Sequence, residues 1–387
     1  MKILYHHRIA SKDGQNVHVE EIIHALRQLG HEVRVVSPGV HDDSDFGHEG
    51  GWVSRLKAAL PKAVYELMEM AYSFHAYRKL AAAIREFQPD AIYERYNLFL
   101  FSGIWASRRY KLPMLLEVNA PIAEERARYD GMAFKNLARR AQAYVWQRAG
   151  LCLPVTQVLA GYVERAGVPR ARIEVIHNGI NEAHFGALPD TTAAKAKLGL
   201  GHRTVLGFTG FVRSWHGLDK IIRWMATKGR EDVHLLVVGE GPARAELEAL
   251  SRELGLADRV TFTGLVPRDQ VPDHVAAFDV ALQPAVVEYA SPLKLFEYLA
   301  LGRAIVAPRV PNLMEILTED ENALLFDPDI PDDLERALGR LCDDPALRQR
   351  LGQGARDTIQ ARGYTWRGNA ERIVDLFQRL SAPSRHG

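Results

Sequence analysis

Residues 291–308 carry the side chains best suited to chemistry, in a pattern that predicts a helix followed by an apolar strand. Pro292 stands at the first turn, where its fixed backbone favours a helix start. Glu297 lies on the same helix face as Leu293 and Lys294. The free N–H groups of the first turn suit an anion or a sugar hydroxyl, and the Glu297 carboxylate suits two ribose hydroxyls. An ordinary crossover helix with a solvated Glu297 is the alternative that this segment alone leaves open.

Glycines follow three predicted strands of the same half of the chain, at Gly210, at Gly239 with Gly241, and at Gly264. Each is weak by itself, because tight turns between strands and helices use Gly in any case. Ligands of open parallel sheets bind beyond the carboxyl ends of the strands, so the three together predict a ligand site. The Gly-x-Gly-x-x-Gly and P-loop patterns are both absent, which argues against a nicotinamide dehydrogenase and a P-loop ATPase.

Short apolar runs alternate with helical stretches along the chain, as in parallel α/β proteins. The predicted strands are Lys2–His7, Glu32–Pro38, Ala91–Tyr96, Pro113–Asn119, Leu151–Val155, Ile173–His177, Thr204–Thr209, His234–Val238, Val260–Thr263, Asp279–Gln283, Ala304–Ala307 and Ala323–Phe326. A Pro-, Gly-, Asp- and Thr-rich segment at 178–203 separates two series of strands. We therefore predict two doubly wound domains, residues 1–185 and 200–364, each with its own core.

The 387 residues, 47% hydrophobic and 25% charged, are typical of a globular protein of two domains. A net charge of +1 indicates no nucleic-acid partner, although residues 51–150 contain 16 Lys/Arg against 9 Asp/Glu. The chain starts directly in a strand and has no apolar run long enough to span a bilayer, so we expect a cytoplasmic protein. Cys152 and Cys342 are predicted to be buried, reduced thiols, since their spacing fits no metal or redox motif.

Taken in order, several segments resemble glycosyltransferase family 4, whose members are retaining enzymes of GT-B fold that use nucleotide-sugar donors. The matching segments are Asp13–His18, Val175–Ile180, Val237–Pro242, Val260–Val266, Phe296–Gly302 and Tyr364–Trp366. The resemblance covers nearly the whole chain. It implies two Rossmann-like domains that face a central cleft, with residues 365–387 crossing back onto the N-terminal domain.

The same resemblance implies which residues bind the two substrates. The residues expected to bind the donor are Gly210, Gly239, Gly241, Val266, Ser291, Pro292, Leu293 and Glu297. The residues expected to face the acceptor are Gly14, Gln15 and His18 in a loop, together with Glu94. For Glu94 and the adjacent Arg95, an ion pair of purely structural value is the equal alternative.

The chain departs from the family pattern at the diphosphate site. Phe211 and His216 stand where the family has an Arg and a Lys, while Arg213 and Lys294 lie close by in the sequence. We predict that Arg213 and Lys294 take over the missing positive charges and that His216 assists them. A solvated Arg213 and a packing role for His216 are the competing interpretations. The Trp-His-Gly and Ser-Pro-x-Lys forms seen here are typical of a subfamily.

Two further departures concern the sugar. Tyr289 occupies the position of the first Glu of the family's Glu-x7-Glu motif, unless Glu288 replaces it. Asn119 stands where the family often has a His near the reaction centre; it can hydrogen-bond sugar hydroxyls but cannot act as a base. No pair of carboxylates suggests a nucleophile and an acid, so we favour a route in which the leaving phosphate accepts the acceptor's proton.

We therefore expect a metal-independent, cofactor-free hexosyltransferase that acts on an oligosaccharide, lipid-linked or small-molecule acceptor. A glycogen-synthase-like, sucrose-synthase-like or phosphorylase-like enzyme is the alternative among enzymes, and a non-catalytic nucleotide-sugar or glycan-binding protein is the alternative outside them.

Asp42, Asp43 and Asp45 are interpreted as a solvated loop. Basic and aromatic residues could rest on an anionic membrane surface, or could be solvated helix faces with packed aromatics. Those residues are Trp52, Arg55, Leu56, Lys57, Leu60, Lys62, Arg139, Arg140, Tyr144, Trp146 and Arg148.

Overall fold

The computed structural model describes residues 1–9, 14–38, 60–185 and 190–381. The chain divides into two compact units. Unit 1 comprises Met1–His177, Tyr289–Ser291 and Trp366–Gly387, and unit 2 comprises Asn178–Glu288 and Pro292–Thr365. The aspartates predicted to form a solvated loop lie outside the described residues, as do the basic and aromatic residues between positions 52 and 57.

Unit 1 contains a five-stranded, wholly parallel sheet in the order β2-β1-β3-β4-β5. Its strands are β1 (Lys2–His6), β2 (Glu32–Val36), β3 (Ala91–Arg95), β4 (Met114–Val118) and β5 (Leu151–Pro154). The strand order reverses between β1 and β3, which creates a switch point there. β3 and β4 are buried at every residue, as expected for central strands covered by helices on both faces.

Seven helices of unit 1 lie among the described residues. They are α1 (Gly14–Gln28), α2 (Lys62–Phe87), α3 (Ser102–Tyr110), α4 (Ile122–Tyr129), α5 (Lys135–Arg148), α6 (Gln157–Arg165) and the C-terminal α16 (Trp366–Ser381). The strand predicted at Ile173–His177 does not form, because this segment makes only an isolated bridge to Cys152 beside β5. The return of the C-terminal helix to the N-terminal unit follows the prediction made from the family resemblance.

Unit 2 contains a six-stranded parallel sheet in the order β11-β10-β9-β6-β7-β8. Its strands are β6 (Thr204–Thr209), β7 (Val233–Val238), β8 (Val260–Phe262), β9 (Val280–Leu282), β10 (Ala304–Pro308) and β11 (Ala323–Phe326). This is the doubly wound order of nucleotide-binding α/β domains, and its switch point falls between β6 and β9. Two apolar clusters cover the two faces of the sheet.

The helices of unit 2 complete its two layers. They are α7 (Glu182–Phe185), α8 (Thr191–Lys197), α9 (Leu218–Thr227), α10 (Arg244–Glu253), α11 (Val271–Ala276), α12 (Leu293–Ala300), α13 (Pro311–Met314), α14 (Asp333–Asp343) and α15 (Pro345–Arg362). α12 is the helix predicted to carry Glu297. Gly302, just past its end, has a φ of 61°, a left-handed conformation that Gly adopts without strain.

The boundary between the units lies at residues 177 and 178, earlier than the predicted end of the first domain at 185. The reason is that Ile180, Phe185 and Ala194 pack into the apolar core of unit 2. Residues 289–291 form a second crossing, since they belong to unit 1 while both flanking segments belong to unit 2. Ser291 and Pro292, predicted together as donor contacts, therefore fall in different units.

Two predictions concern the burial of side chains. Cys152 and Cys342 are both buried free thiols, as predicted, and burial raises the pKa of each to about 12. Of the two interpretations of the basic and aromatic residues, packed aromatics holds for Trp146, which is completely buried in α5. Tyr144 also packs on the core, with the Arg148 guanidinium 4.1 Å from its ring centroid. Helical spacing alone does not tell which face of α5 meets the sheet.

Candidate functional site

The loops after β6 and β7 are bound to each other by backbone contacts that only Gly permits. A side chain at Gly239 would collide with the carbonyl of Gly210, and one at Gly241 would collide with the backbone of Val212. The Val212 N–H donates to the carbonyl of Glu240 at 2.9 Å. Gly210 and Gly239 have φ values of 117° and 144°. Gly210 and Gly239 are thus needed for the shape of this strand-end surface.

Lys294, in the first turn of α12, reaches the end of β6. Its ammonium lies 3.5 Å from the ring centroid of Phe208, and a side chain placed at Gly210 would lie 3.4 Å from the Lys294 Nζ. A cation over an aromatic face is held electrostatically. Burial lowers the pKa of Lys294 to about 7, against the opposing effect of Glu297, which favours the charged form. Lys294 therefore carries a charge that a nearby anion would stabilise.

His216 packs against the same Phe208 ring, with 5.0 Å between the ring centroids. It ends a single turn of 3-10 helix at Ser214–His216, and its Nδ1 accepts a hydrogen bond from the Arg213 N–H at 3.2 Å. Burial, Lys294 and Arg213 lower the pKa of His216 to about 3. The ring is therefore neutral near pH 7, with its proton on Nε2. His216 offers one N–H donor here, not the charge of the Lys that it replaces.

Arg213 lies between two aromatic rings. Its guanidinium is 4.8 Å from the ring centroids of both Phe211 and Trp215. In the described part of the chain, the Arg213 guanidinium contacts aromatic rings and forms no ion pair with a carboxylate. Stacking positions the guanidinium while leaving its in-plane N–H donors available for another partner. We call Arg213, His216 and Lys294 the strand-end cluster.

A hydrogen bond from Thr209 to Tyr298 connects β6 with α12. The buried Tyr298 hydroxyl accepts a hydrogen bond from the Thr209 N–H at 2.9 Å, and its burial raises the Tyr298 pKa. No side chain caps the amino end of α12 at Pro292, so the backbone N–H groups of its first turn do not bond to a capping side chain. Glu297 is half-buried one turn from Lys294. Val266, the other predicted donor contact, packs partly against the unit 2 core.

In unit 1 the strand ends hold a buried network of charged and polar side chains. Arg95, at the end of β3, pairs with Glu117 of β4 and contacts His18 Nδ1 at 2.8 Å. Glu117 also accepts hydrogen bonds from Tyr93 and from Asn119, the latter on the loop after β4. Burial raises the pKa of Glu117, but the neighbouring cation and these donors outweigh it and keep the carboxyl ionised.

His18 lies in helix α1, not in the loop that the sequence predicted, because the helix already begins at Gly14. Its ring is 4.9 Å from the ring of Trp366 in α16 and is almost wholly buried. Burial lowers the pKa of His18 to about 4, and the ring accepts from Arg95, so it is neutral. Of the loop residues predicted to face the acceptor, Gln15 is exposed.

Glu94 is also buried, at 1% exposure, and pairs with His6 at the end of β1. Gly103, in α3, approaches so closely that any side chain there would collide with the Glu94 carboxylate. The second carboxylate oxygen, Oε1, is buried with no hydrogen-bond partner. Arg95 thus forms a buried ion pair with Glu117, and Glu94 forms a buried hydrogen bond with His6. Their contact with an acceptor stays a prediction.

Tyr289, at the position of the family's first Glu unless Glu288 replaces it, belongs to unit 1. The Thr156 hydroxyl donates to its carbonyl at 3.1 Å, and its ring meets that of Tyr162 edge-on. Burial and the nearby Glu125 carboxylate raise the pKa of Tyr289. Tyr289 therefore serves as a packing residue with a neutral phenol, and supplies no carboxylate.

The sequence did not reveal Phe208 or His6 as site residues. Phe208 looks like an ordinary core residue of β6. His6 hydrogen-bonds to Glu94, which is 88 residues away in the sequence. The only available signal was that His6, Glu94 and Glu117 all stand at the carboxyl ends of predicted strands. Among the residues that the structure describes, no group of three or more His, Cys, Asp or Glu side chains could hold a metal ion.

Two family models match the chain in tandem. The model for glycosyltransferase family 4 matches residues 12–184, and that for glycosyl transferases group 1 matches residues 190–358. The two parallel α/β units are those of the GT-B class of glycosyltransferases. Together with the glycosyltransferase names of its relatives, these matches support a GT-B glycosyltransferase of the family 4 type, as the sequence motifs predicted.

Relatives and solved structures agree with this assignment. A 2-deoxystreptamine glucosyltransferase of Streptomyces kanamyceticus is 33% identical over 46% of this chain and 48% of its own length. A D-inositol 3-phosphate glycosyltransferase of Acidothermus cellulolyticus is 28% identical over 96% and 87%. The chain spans about half the length of several other curated relatives that it matches, such as the lipopolysaccharide core glycosyltransferase of Rhizobium meliloti, at 49%.

The fold is shared with solved structures at low identity. Anabaena HepE in complex with UDP superimposes with a TM-score of 0.75 at 18% identity, covering 98% of this chain and 100% of that one. Sucrose-phosphate synthase from Thermosynechococcus elongatus superimposes with a TM-score of 0.78 at 18% identity, covering 98% and 99%. These similarities establish the fold.

Proposed function

We propose that the protein is a retaining glycosyltransferase that moves a hexose from a nucleotide-diphosphate sugar to a hydroxyl of an oligosaccharide, lipid-linked or small-molecule acceptor. One observation carries the proposal. Two cationic side chains, Arg213 and Lys294, and the neutral N–H donor of His216 meet at the carboxyl end of β6. This is the switch point of unit 2, where doubly wound sheets bind nucleotides.

The strand-end cluster suits the leaving group of such a reaction. Breaking the bond between the sugar C1 and the diphosphate oxygen moves negative charge onto the diphosphate. Donors fixed before the reaction stabilise that charge most effectively. Arg213 is fixed by stacking and Lys294 by its position over Phe208, so neither must reorganise much when the charge develops.

The remaining donor residues have roles that follow from their positions in unit 2. The free N–H groups at the start of α12 suit a phosphate oxygen, and Glu297 suits the ribose hydroxyls. We propose Gly210, Gly239 and Gly241 as the backbone surface that lets the diphosphate approach closely. Leu293 and Val266 are proposed to lie beside the nucleotide, where their side chains give little discrimination between bases.

We propose a front-face reaction that retains the configuration at C1. The bond from C1 to the diphosphate oxygen breaks, the bond from C1 to the acceptor oxygen forms, and the acceptor's proton moves to the departing diphosphate. Asn119 is the proposed acceptor contact in unit 1, where its side-chain amide could orient sugar hydroxyls. No cofactor is required.

The names of similar proteins support a nucleotide-sugar donor. Solved structures of HepE contain UDP, UDP with glucose, or UDP-glucose. A relative in Mycolicibacterium smegmatis is named a GDP-mannose-dependent mannosyltransferase acting on phosphatidylinositol monomannoside. A carbohydrate or polyol acceptor fits the names of the aminoglycoside and inositol-phosphate relatives.

A thermal-shift screen with UDP, GDP, ADP and their sugars tests the donor. A nucleotide at 100 times its Kd should stabilise the protein by about 2.7 kcal/mol. The stabilising nucleotide sugar is then incubated with and without candidate acceptors, and the released nucleotide diphosphate and the anomeric configuration of the product are measured. Binding without any release of nucleotide diphosphate would favour the non-catalytic alternative, and an inverted product would refute the front-face route.

We further propose that unit 1 contacts the cytoplasmic face of an anionic membrane through α2. The exposed apolar residues of this helix, Val64, Leu67, Met68 and Phe74, recur at helical spacing. Arg78 and Lys79 are exposed on the same helix. Basic residues beside an exposed apolar stripe suit anionic headgroups. Within the described residues, no helix is long and apolar enough to cross a membrane.

Cosedimentation with lipid vesicles tests this contact. We expect binding to vesicles that contain phosphatidylglycerol and little binding to pure phosphatidylcholine. Leu67→Asp should reduce the bound fraction severalfold, whereas Ile330→Asp, at an exposed aliphatic residue of unit 2, should leave it unchanged. Equal loss with both variants, or no binding by the wild type, would refute the proposal.

A further inference from the structure

A cleft of unit 2, about 310 Å³ in volume, lies at the opposite end of the parallel strands from the strand-end cluster. It opens at the amino ends of β9 and β10, between the turn after α12 and the first half of α15. Arg303, Arg348 and Arg356 line it, and the nearest carboxylate among its lining residues is that of Asp279. We call this cavity, with its three arginines, the arginine cleft.

The three arginines are held by neutral groups. Arg303 donates to the carbonyls of Leu301, Ala276 and Phe278, and Arg348 donates to two carbonyls at the end of α14. Arg356 donates to the side-chain amide of Gln353. Over the described ranges, none of the three has a carboxylate within ion-pair distance. Each keeps donors that these contacts leave unused.

Asp279 is the one carboxylate that lines the cleft beside three arginines, and it favours the charged form of Arg303. Its carboxylate already pairs with Lys195 at 2.5 Å and accepts from the Val205 N–H at 2.7 Å. Burial lowers the pKa of Arg303; the Asp279 carboxylate opposes this effect, and the neighbouring Arg356 adds to it. Other arginines of unit 2, such as Arg230 and Arg244, are each paired with two carboxylates.

Close backbone contact fixes the geometry of the cleft. A side chain at Gly302 would meet the Arg356 Nη1, and one at Gly352 would collide with the Gly302 carbonyl. The turn after α12 therefore packs directly on α15, which sets Arg356 against this turn. The basic surface is a consequence of rigid elements and not of long side chains on a free loop.

We propose that the arginine cleft binds a phosphorylated small molecule at a site separate from the strand-end cluster. The planar fork of Arg matches the oxygens of a phosphate group, and a cleft of this volume admits a ligand of monosaccharide-phosphate size. The proposal is independent of the reaction catalysed, because it rests on the opposite end of the strands.

Isothermal titration of the full chain with glucose 6-phosphate tests the site, with inorganic phosphate and glucose as comparison ligands. We expect glucose 6-phosphate to bind and glucose not to bind. The double variant R348Q/R356Q should weaken binding at least about tenfold, since each charge-assisted hydrogen bond contributes substantially. Arg350→Gln, an exposed arginine of the same helix outside the cleft, is the matched control and should bind as the wild type does. Circular dichroism checks that each variant is folded.

A titration of Arg213→Ala separates the two sites. Unchanged binding of glucose 6-phosphate by this variant supports the arginine cleft, whereas its loss would place the ligand at the strand-end cluster and overturn the proposal. The proposal is equally overturned if the wild type does not bind glucose 6-phosphate, or if Arg350→Gln weakens binding as much as the double variant. An unfolded double variant leaves the wild-type and Arg213→Ala titrations to decide.

Discussion

Charged side chains gather at the carboxyl ends of the strands in both units, but the two units neutralise them differently. In unit 1, Arg95 pairs with Glu117 and His6 with Glu94, all almost fully buried. In unit 2, Arg213 lies between aromatic rings and Lys294 lies over Phe208. Buried pairing with a carboxylate makes the unit 1 strand ends structural, whereas aromatic partners hold a cation in place without neutralising it.

The comparison predicts that breaking the unit 1 network chiefly costs stability. Glu117→Gln leaves the buried Arg95 without its carboxylate, which should lower the free energy of unfolding by about 3–5 kcal/mol. Chemical denaturation followed by circular dichroism measures this loss. Glu86→Gln, in an exposed ion pair with Arg34, is the control and should change stability little. Similar stability of both variants would contradict the structural role of the unit 1 strand ends.

Changes in the strand-end cluster should instead affect catalysis. Arg213→Ala and Lys294→Ala should each lower kcat about 10²-fold, with smaller effects on donor KM, because both stabilise charge that develops in the transition state. Since both act on one diphosphate, the double variant should lose less than the product of the single losses. Arg223→Ala, an exposed arginine of α9, is the control. Near-wild-type rates for both single variants would mean that His216 and the α12 N-terminus are sufficient to stabilise the leaving diphosphate.

The pH dependence of donor affinity sharpens the role of Lys294. Its pKa of about 7 in the free protein should rise when a diphosphate binds, because the anion favours the charged form. Affinity for the nucleotide diphosphate should therefore fall as the pH rises above 7, by up to about tenfold per pH unit. Titrations between pH 7 and 9 measure this, and Lys294→Arg should give a flat profile. A flat wild-type profile would contradict the assignment.

A smaller effect is expected from the ribose contact. Glu297→Gln keeps the size of the side chain and removes its charge, so donor affinity should fall about tenfold. Glu246→Gln, at an exposed position of α10, provides the matched control for titration of the nucleotide diphosphate. Equal affinity in wild type and Glu297→Gln would remove Glu297 from the donor site.

Removal of metal ions should have no effect on the rate. The cations of the strand-end cluster are proposed to do the work that Mg²⁺ does in metal-dependent transferases. We expect full activity with excess EDTA. Loss of activity that Mn²⁺ or Mg²⁺ restores would mean that side chains alone do not neutralise the diphosphate.

The sequence predicted every strand of both sheets, with one extra strand at Ile173–His177, and the crossover helix with Glu297, because each depends on local periodicity and on helix-end residues. It also predicted the family and the GT-B fold, which are confirmed. It could not decide between a membrane-facing and a packed Trp146, since several faces of α5 are mixed in polarity. Nor could it predict that Phe208 supports Lys294, because the two side chains meet only when β6 and α12 pack together.

The central claim is that the strand-end cluster of unit 2 binds the diphosphate of a nucleotide sugar. Calorimetric titration of the wild type and of the R213A/K294A variant with UDP, GDP and ADP tests it most directly. We expect at least one nucleotide to bind the wild type and to bind the folded double variant about 100-fold more weakly, with Arg223→Ala unchanged. Equal affinity in the wild type and the double variant would contradict the claim.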